Sequence, residues 1–375
     1  MTPPQEAAGV SLTDEQRAAW LRLTRSENVG PATFRALINH FGSAQAALEA
    51  LPTLARRGGG RAIRIADEAE VARETEAAAR IGARFIAMGE PDYPPWLRHA
   101  DAPPPLISAR GGAECLVKPA VAIVGARNAS VAGRKMAALL ARDLGGAGLT
   151  IVSGLARGID AAAHEAALLT GTLAVMAGGI DVVYPQENEA LFAAILDHGG
   201  AAVSEMPVGW SPRGKDFPRR NRIIAGMALA TVVVEAAERS GSLITARLAL
   251  EQNREVMAVP GSPVDPRAAG ANRLIKQGAR LVTEAADVLD AIAPLLERAP
   301  LPRRAEEPET MEPAPEPAAD DRSRVHEALG PTPVEVDEIV RFTGVPARMV
   351  QVILLELDLA GRLERHAGNR VSLKE

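Results

Sequence analysis

The chain has 375 residues, 47% of them hydrophobic and 24% charged, which are the proportions of a folded globular protein of two or three domains and exclude global disorder. Its net charge of −5 neither requires nor forbids a nucleic-acid partner, because affinity follows the local placement of Lys and Arg. Cys115 is the single cysteine, so an intramolecular disulfide is excluded and a cysteine zinc site disfavoured; no run of 18 uncharged apolar residues or basic-then-apolar leader appears, so a cytoplasmic location without membrane is expected.

From the start, residues 1–11 read as a frayed end, and apolar spacing then predicts short helices at 15–23, 32–40 and 44–50. Asn28-Val29-Gly30-Pro31 separates the first two. A Gly-Pro turn between short helices is how a helix-hairpin-helix module aims backbone N–H groups at a phosphate, although it also fits a plain corner in a helical bundle. Arg57-Gly58-Gly59-Gly60 interrupts the pattern, 65–80 reads as a long helix, and 84–87 as a short strand available to a sheet. The Pro-rich pieces 92–97 and 101–106 read as connectors and set a domain edge near 100–119.

From Ala120 the pattern becomes apolar strand, small-residue turn, helix, and it repeats. Val121-Ala122-Ile123-Val124 runs into Gly125-Ala126-Arg127-Asn128-Ala129-Ser130, and 149–152 into Ser153-Gly154-Leu155-Ala156-Arg157-Gly158. Residues 172–176 precede Ala177-Gly178-Gly179-Ile180-Asp181, and 231–234 precede Glu235 and then Ser240-Gly241-Ser242. Strands ending in such turns line one edge of a parallel sheet, where ligand crevices form. The predicted fold class is α/β: a Rossmann-like parallel-sheet domain at 101–297, preceded at 12–100 by a small helical domain of helix-hairpin-helix or SAM-like type.

Gly125-Ala126-Arg127 lacks the three glycines of a dinucleotide fingerprint, and no cofactor is expected. A guanidinium at a helix start suits a single phosphate or carboxylate, and Ser130 is placed to cap that helix; an internal pair of Arg127 with Asp160 or Glu205 fits as well. Arg157 repeats the theme in a second glycine turn with Ser153, Gly154 and Gly158. Asp160 and His164 share a helical face, and with no further ligand to complete a metal set the spacing predicts a structural Asp–His bond and no metal.

The densest basic run, 211–222, carries Arg213, Lys215, Arg219, Arg220 and Arg222 against Asp216 alone, with Phe217 and Asn221 among them. Cations around a ring on a loop entering a helix are the ingredients for gripping a single-stranded backbone while stacking a base. Pairing of Arg219 and Arg222 with Glu235 and Asp181 is the internal alternative. With only 3% aromatic residues, Phe217, Trp210 and Tyr184 each carry weight as stacking rings. Ser240-Gly241-Ser242 can seat a phosphate on free N–H groups, with Glu235 beside it as the one available general base. No nucleophile, paired acid or metal completes a catalytic set, so the chain is not expected to be an enzyme.

Six prolines and five glutamates between Pro300 and Pro317 predict an extended, mobile linker at 298–320. Beyond it, 325–329, 334–342 and 347–359 read as helices and 361–371 as a two-stranded ribbon, the winged-helix arrangement at 321–375. Arg348 against Glu356 and Asp358 on the last helix is a poor balance for reading duplex DNA. Protein contact or packing is therefore favoured for this domain, with the wing cations Arg362, Arg365, Arg370 and Lys374 available to phosphate.

These motifs in this order resemble the DNA-processing protein A family, DprA/Smf. The resemblance rests on Val124-Gly125-Ala126-Arg127 with Ser130, on 153–160 with His164, on Gly178-Gly179 with Asp181, Tyr184 and Pro185, and on Ser204-Glu205. It continues through Phe217-Pro218-Arg219-Arg220-Asn221-Arg222-Ile223-Ile224, Ser240-Gly241-Ser242 with Thr245, and Val259-Pro260-Gly261, while both flanking domains match more loosely. It implies a Rossmann-like domain that binds single-stranded DNA and forms a homodimer, and a protein that helps load the RecA recombinase in natural transformation, with no enzymatic activity. It also implies Arg127, the 153–158 loop, Lys215, Phe217, Arg220 and Asn221 as DNA contacts, to which the residue reading adds Ser130, Arg219, Arg222, Ser240, Gly241 and Ser242. The central fold also looks like that of nucleoside-5′-monophosphate phosphoribohydrolases, but Ser240-Gly241-Ser242-Leu243-Ile244-Thr245 stands where they carry Pro-Gly-Gly-x-Gly-Thr. A winged-helix transcription regulator is the third reading, and the charges of Glu356 and Asp358 argue against it.

Overall fold

The structure is a computed structural model that describes residues 11–60, 62–297, 316–366 and 368–374. These divide between a compact unit within Glu74–Arg304 and a second that joins residues of Leu12–Arg73 to residues of Ala305–Glu375. Among the described residues no helix is long and apolar enough to cross a membrane.

The second unit begins with α1 (Asp14–Arg25), α2 (Pro31–Phe41) and α3 (Ala44–Arg57). Local chemistry fixes their ends. Thr13 and Gln16 form a capping box on α1, Pro31 starts α2 and left-handed Gly42 stops it, and Ser43 caps α3. Helix α4 (Glu68–Arg80) then carries the chain into the first unit.

There the elements are β1 (Ala83–Ala87), β2 (Leu106–Gly111), α5 (Glu114–Val117), β3 (Ala120–Gly125), α6 (Val131–Gly146), β4 (Thr150–Ser153), α7 (Ile159–Ala166), β5 (Thr172–Val175), α8 (Glu189–Asp197) and β6 (Ala201–Ser204). They continue with α9 (Asp216–Met227), β7 (Ala230–Val234), α10 (Gly241–Glu251), β8 (Glu255–Ala258), α11 (Ala269–Lys276), β9 (Arg280–Leu281) and α12 (Ala285–Leu296). The sheet order is β1-β2-β6-β5-β4-β3-β7-β8-β9. Pairing is parallel from β6 to β9, and β1 and β2 add antiparallel at one edge. The chain builds β4 to β6 on one side of β3 and returns to build β7 to β9 on the other. The order therefore reverses between β3 and β7, the switch point at which α/β sheets open a crevice.

Both faces of the sheet are covered, which is why its strands read as continuous apolar runs. Ala122, Val124, Val152, Val175 and Val233 pack with Ile223 and Ile224 on one face. Val121, Ile123, Ile151 and Val232 pack with Leu140, Leu144 and Ile292 on the other. Because β1 and β2 belong to this sheet, its body starts near Glu74, and the domain edge expected at 100–119 falls inside it. The proline run 103–105 is the approach to β2, where Pro105 O accepts from Met88 N at 2.8 Å.

The chain ends in α13 (Ala319–Glu327), β10 (Val334–Glu335), α14 (Val336–Thr343), α15 (Ala347–Leu359), β11 (Leu363–His366) and β12 (Arg370–Leu373), with a sheet ordered β10-β12-β11. This is the winged helix, with its first helix starting before the expected residue 325 and residues 334–335 paired to the wing instead of helical. Of the expected linker, 298–315 lies outside the described residues.

Candidate nucleic-acid interface

At the switch point the turns after β3 and β7 meet. Strand β3 ends on Gly125 because a Cβ there would come within 1.9 Å of Val234 O. Ser130 caps α6, its Oγ accepting from Gly133 N at 2.9 Å. The anion position at this helix start is filled from within the chain. The Glu235 carboxylate, on a residue at φ 50°, accepts from Ser130 N at 2.8 Å and from Ser130 Oγ. Gly133 leaves room for it, since a Cβ would lie 2.5 Å from the Glu235 carboxyl carbon. A carboxylate therefore sits where a dinucleotide domain places pyrophosphate, and the one candidate general base is held as a structural acceptor.

The open pocket lies one strand over. It has a volume of about 200 Å³ and is lined by Arg127, Arg157 and Arg220, by the rings of Tyr184 and Phe217, and by Gly154. Four segments supply these groups: the turns after β3 and β4, the loop before α8, and the start of α9. The Arg127 guanidinium stands 5.3 Å from the Phe217 ring centroid, and the Tyr184 ring centroid lies 5.4 Å from that of Phe217 at an interplanar angle of 60°. Arg127 is exposed and Tyr184 half-exposed, so a cation and two rings face solvent together.

The floor holds two buried charged side chains, Arg220 and Asp160, that attract each other without a direct salt bridge. Arg220 donates Nη1 to Val175 O at 3.1 Å, beside Asp160, which accepts from Gly154 N at 3.1 Å and Ala156 N at 3.4 Å. The pair thereby shapes the 153–158 loop. A Cβ on Gly154 would fall 1.6 Å from Arg220 Nη1, which is the reason for glycine there. Gly158, at φ 77°, lets the loop close on the turn after β3, where a Cβ would sit 2.3 Å from Ala126 O. Burial pushes the Asp160 carboxyl up, against the pull of Arg220 and the loop N–H groups. Burial, with Arg127 nearby, brings Arg220 down to about 10 despite Asp160. Arg127 and Arg220 repel across the pocket, so an anion placed between them is stabilised by both.

His164 does not bond Asp160 as its spacing suggested. Its Nδ1 lies 2.7 Å from Thr172 Oγ1, and its Nε2 has no hydrogen-bond partner. Burial first, and the Arg220 charge second, lower its pKa from 6.5 to about 3. A base with a depressed folded pKa stays neutral in the fold while the unfolded chain takes up a proton. Its contribution is therefore complete above about pH 6.5 and is lost at ~1.4 kcal/mol per pH unit on acidification toward its folded pKa. His164→Gln is expected to make the urea stability curve shallower by that slope between about pH 6 and 4; an unchanged slope would contradict this assignment.

Comparison with known proteins decides the family. Residues 84–293 match the family model for DNA recombination-mediator protein A, 14–77 that for the DprA-like N-terminal HHH domain, and 309–369 that for the DprA winged helix domain. The chain belongs to the DNA recombination-mediator protein A family. Similar relatives are Protein Smf of Escherichia coli K12, 40% identical over 284 residues that cover 75% of each chain, and DNA processing protein DprA of Bacillus subtilis 168, 41% identical over 56% of this chain and 72% of the relative. Among solved structures, DNA processing protein A of Streptococcus pneumoniae aligns at a TM-score of 0.61 with 31% identity, over 75% of this chain and 98% of that one. The Helicobacter pylori protein, whose structure is described for its single-stranded DNA binding mode, aligns at 0.52 with 26% identity, over 59% and 99%.

In this mediator the remaining sequence candidates separate by position. Lys215 is exposed two residues before Phe217, on the loop folded by Asp216, which accepts from Trp210 Nε1 and Arg213 N at 2.9 Å each. Arg157 meets Glu187 at 3.2 Å with both side chains about half exposed, a contact of ~0–1 kcal/mol that a phosphate can displace. Arg219 and Arg222 both grip buried Glu205, at 3.0 and 2.5 Å, and Arg222 also donates to Ala102 O. Their partner is thus Glu205, in place of the Glu235 and Asp181 considered from sequence. Burial would raise the Glu205 carboxyl, but Arg222 and Arg219 hold it below the usual carboxylate range. Asn221 donates to Gly241 O at 3.4 Å, and Ser240 Oγ accepts from Ser242 N at 3.4 Å at the start of α10, so Ser240-Gly241-Ser242 forms a capped turn that contributes nothing to the pocket lining. Ser130 is likewise spent on Glu235, and Ser153 donates to Ile123 O at 2.6 Å inside the sheet. Tyr184, Pro185 and Glu187 line the pocket but are absent from the contact set read from sequence, and the signal for Tyr184 was its scarcity as an aromatic.

Proposed function

We infer that this mediator holds single-stranded DNA, without sequence preference, across the pocket between Arg127 and Tyr184, and that it uses this grip to help load RecA. One observation carries the reading: Arg127, Arg157 and the Tyr184 and Phe217 rings come from four segments and converge on one pocket above buried Arg220. Cations hold phosphates whatever the base, and rings accept any base because every base has a π-face. A base must be unstacked to reach them, which selects single strands. The Helicobacter pylori relative described for single-stranded DNA binding supports the same reading.

Lys215→Gln tests the electrostatic part. Removing one phosphate contact should lower the slope of log affinity against log salt by about 0.7 for a single strand, and an unchanged slope would remove Lys215 from the site. The RecA step is read separately, as the rate at which RecA replaces single-strand-binding protein on DNA. Addition of the mediator should raise it; no effect would withdraw that step and leave strand binding intact. A homodimer is proposed with it, and sedimentation at monomer mass would remove that part.

A further inference from the structure

The pocket between Arg127 and Tyr184 ends on the sheet. At its floor Arg220 donates Nη1 to Val175 O, the last residue of β5, and Gly154, the first residue after β4, lies against the same guanidinium. At the side the 153–158 loop is pressed onto the turn after β3, where a Cβ on Gly158 would come within 2.6 Å of Arg127 O. A group that reaches Arg220 therefore stops there. An internal phosphodiester has two ester oxygens, each continued by chain, and both arms would have to turn back out past the rings. A phosphomonoester has one ester oxygen and three free oxygens, so it can put its free end on the floor while the nucleoside stays at the mouth.

The floor side chain has donors to spare. Arg220 is 6% exposed, yet its buried Nε has no hydrogen-bond partner among the described residues. A buried guanidinium N–H without an acceptor is costly, and an oxygen arriving from the pocket would satisfy it. Charge points the same way. Arg127, Arg157 and Arg220 line the pocket against one lining carboxylate, Glu187, which leaves two positive charges; Asp160 lies behind Arg220, where burial pushes its carboxyl up. A phosphomonoester carries about −1.5 to −2 at neutral pH and matches that excess better than the single charge of a diester. Size sets the division of the ligand. The volume of about 200 Å³ falls below the ~300–1,000 Å³ of pockets that enclose a whole small molecule, so it holds the phosphate and leaves the base to the Tyr184 and Phe217 rings.

We infer that this pocket takes a nucleoside phosphomonoester, with the phosphate between Arg220 and Arg127 and the base against the Phe217 and Tyr184 rings. On the strand-gripping reading of the same pocket, on which this rests, the phosphorylated end of a strand binds ahead of its middle. A free nucleoside monophosphate presents the same chemistry and enters the same place.

The full chain is titrated with one short oligonucleotide, labelled at an internal base and ending in a 5′-phosphate, a 3′-phosphate or hydroxyls alone, with a nucleoside 5′-monophosphate as competitor. One phosphorylated strand should bind about tenfold tighter than the hydroxyl strand, which assigns the end, and excess monophosphate should remove the gain. Competition by the monophosphate without any gain for either phosphorylated strand would make the free nucleotide the ligand. The gain should shrink from about pH 7.5 to about pH 5.5, where the phosphate takes up its second proton. His164, lowered to about 3, stays neutral throughout, and any change at Asp160 is read on the hydroxyl strand. Arg220→Gln should bring the two affinities together, and the pH series decides the matter if that variant does not fold. Equal affinity for all three strands with no competition overturns the inference, as does a gain that pH leaves unchanged. Either result with normal binding of the hydroxyl strand spares the strand-gripping reading, which falls instead if that strand is indifferent to Arg127→Glu and Phe217→Ala.

Discussion

Replacing Phe217 by Ala and Arg127 by Glu together is expected to weaken single-strand binding by about a hundredfold. Loss of one base-stacking ring costs ~1–3 kcal/mol. The ring also seats the Arg127 guanidinium 5.3 Å from its centroid, so the two side chains act on the strand as a unit and the double substitution should cost less than the sum of the singles. Tyr184→Ala should fall in the same range as Phe217→Ala, because its ring completes the pair. Anisotropy titrations of the parent and these four variants check this. A double variant that binds like the parent would show that the strand lies elsewhere.

The second large effect concerns the floor. Arg220→Met removes the charge that attracts the buried Asp160 carboxylate and the Nη1 bond to Val175 O, and should cost ~1–3 kcal/mol of unfolding free energy, a sizeable part of the ~5–15 kcal/mol that domains possess. Strand affinity should fall too, since Asp160 holds Gly154 N and Ala156 N and so shapes the loop that presents Arg157. Asp160→Asn added to Arg220→Met should recover part of the loss, because a neutral carboxamide is cheaper to bury than an unpaired charge. Urea midpoints for the two single variants and the pair give the coupling. If Arg220→Met unfolds at the parent's midpoint, the Arg220 charge does not organise the floor.

What the sequence revealed follows from the physics of each element. Strands such as Ala120–Gly125 were legible because burial on both faces leaves an unbroken apolar run. Strand β2 was not, because Ser108 and Arg110 interrupt its pattern and three prolines lead into it, and only pairing with β1 and β6 reveals it. Convergence of Arg127, Arg157 and Phe217 was legible because strand-end turns share one sheet edge. The fate of the neighbouring arginines was not: Arg219, Arg220 and Arg222 occupy one helix, and which of them faces Glu205 or Asp160 depends on where the end of β6 and the start of α7 place those carboxylates. Helix α15 offered a mixed signal. Apolar residues all around it mark a helix buried on two sides, whereas a count of Glu356 and Asp358 suggested an acidic surface that the pairs with Arg322 and Arg365 abolish.

The most direct test of strand gripping is one salt titration of the purified chain against an oligonucleotide offered single-stranded and then as a duplex of equal length. The single strand should bind more tightly, with log affinity falling against log salt at a slope of about −2 from Arg127, Arg157 and Lys215. Equal or tighter binding of the duplex, or affinity indifferent to salt, would contradict the account.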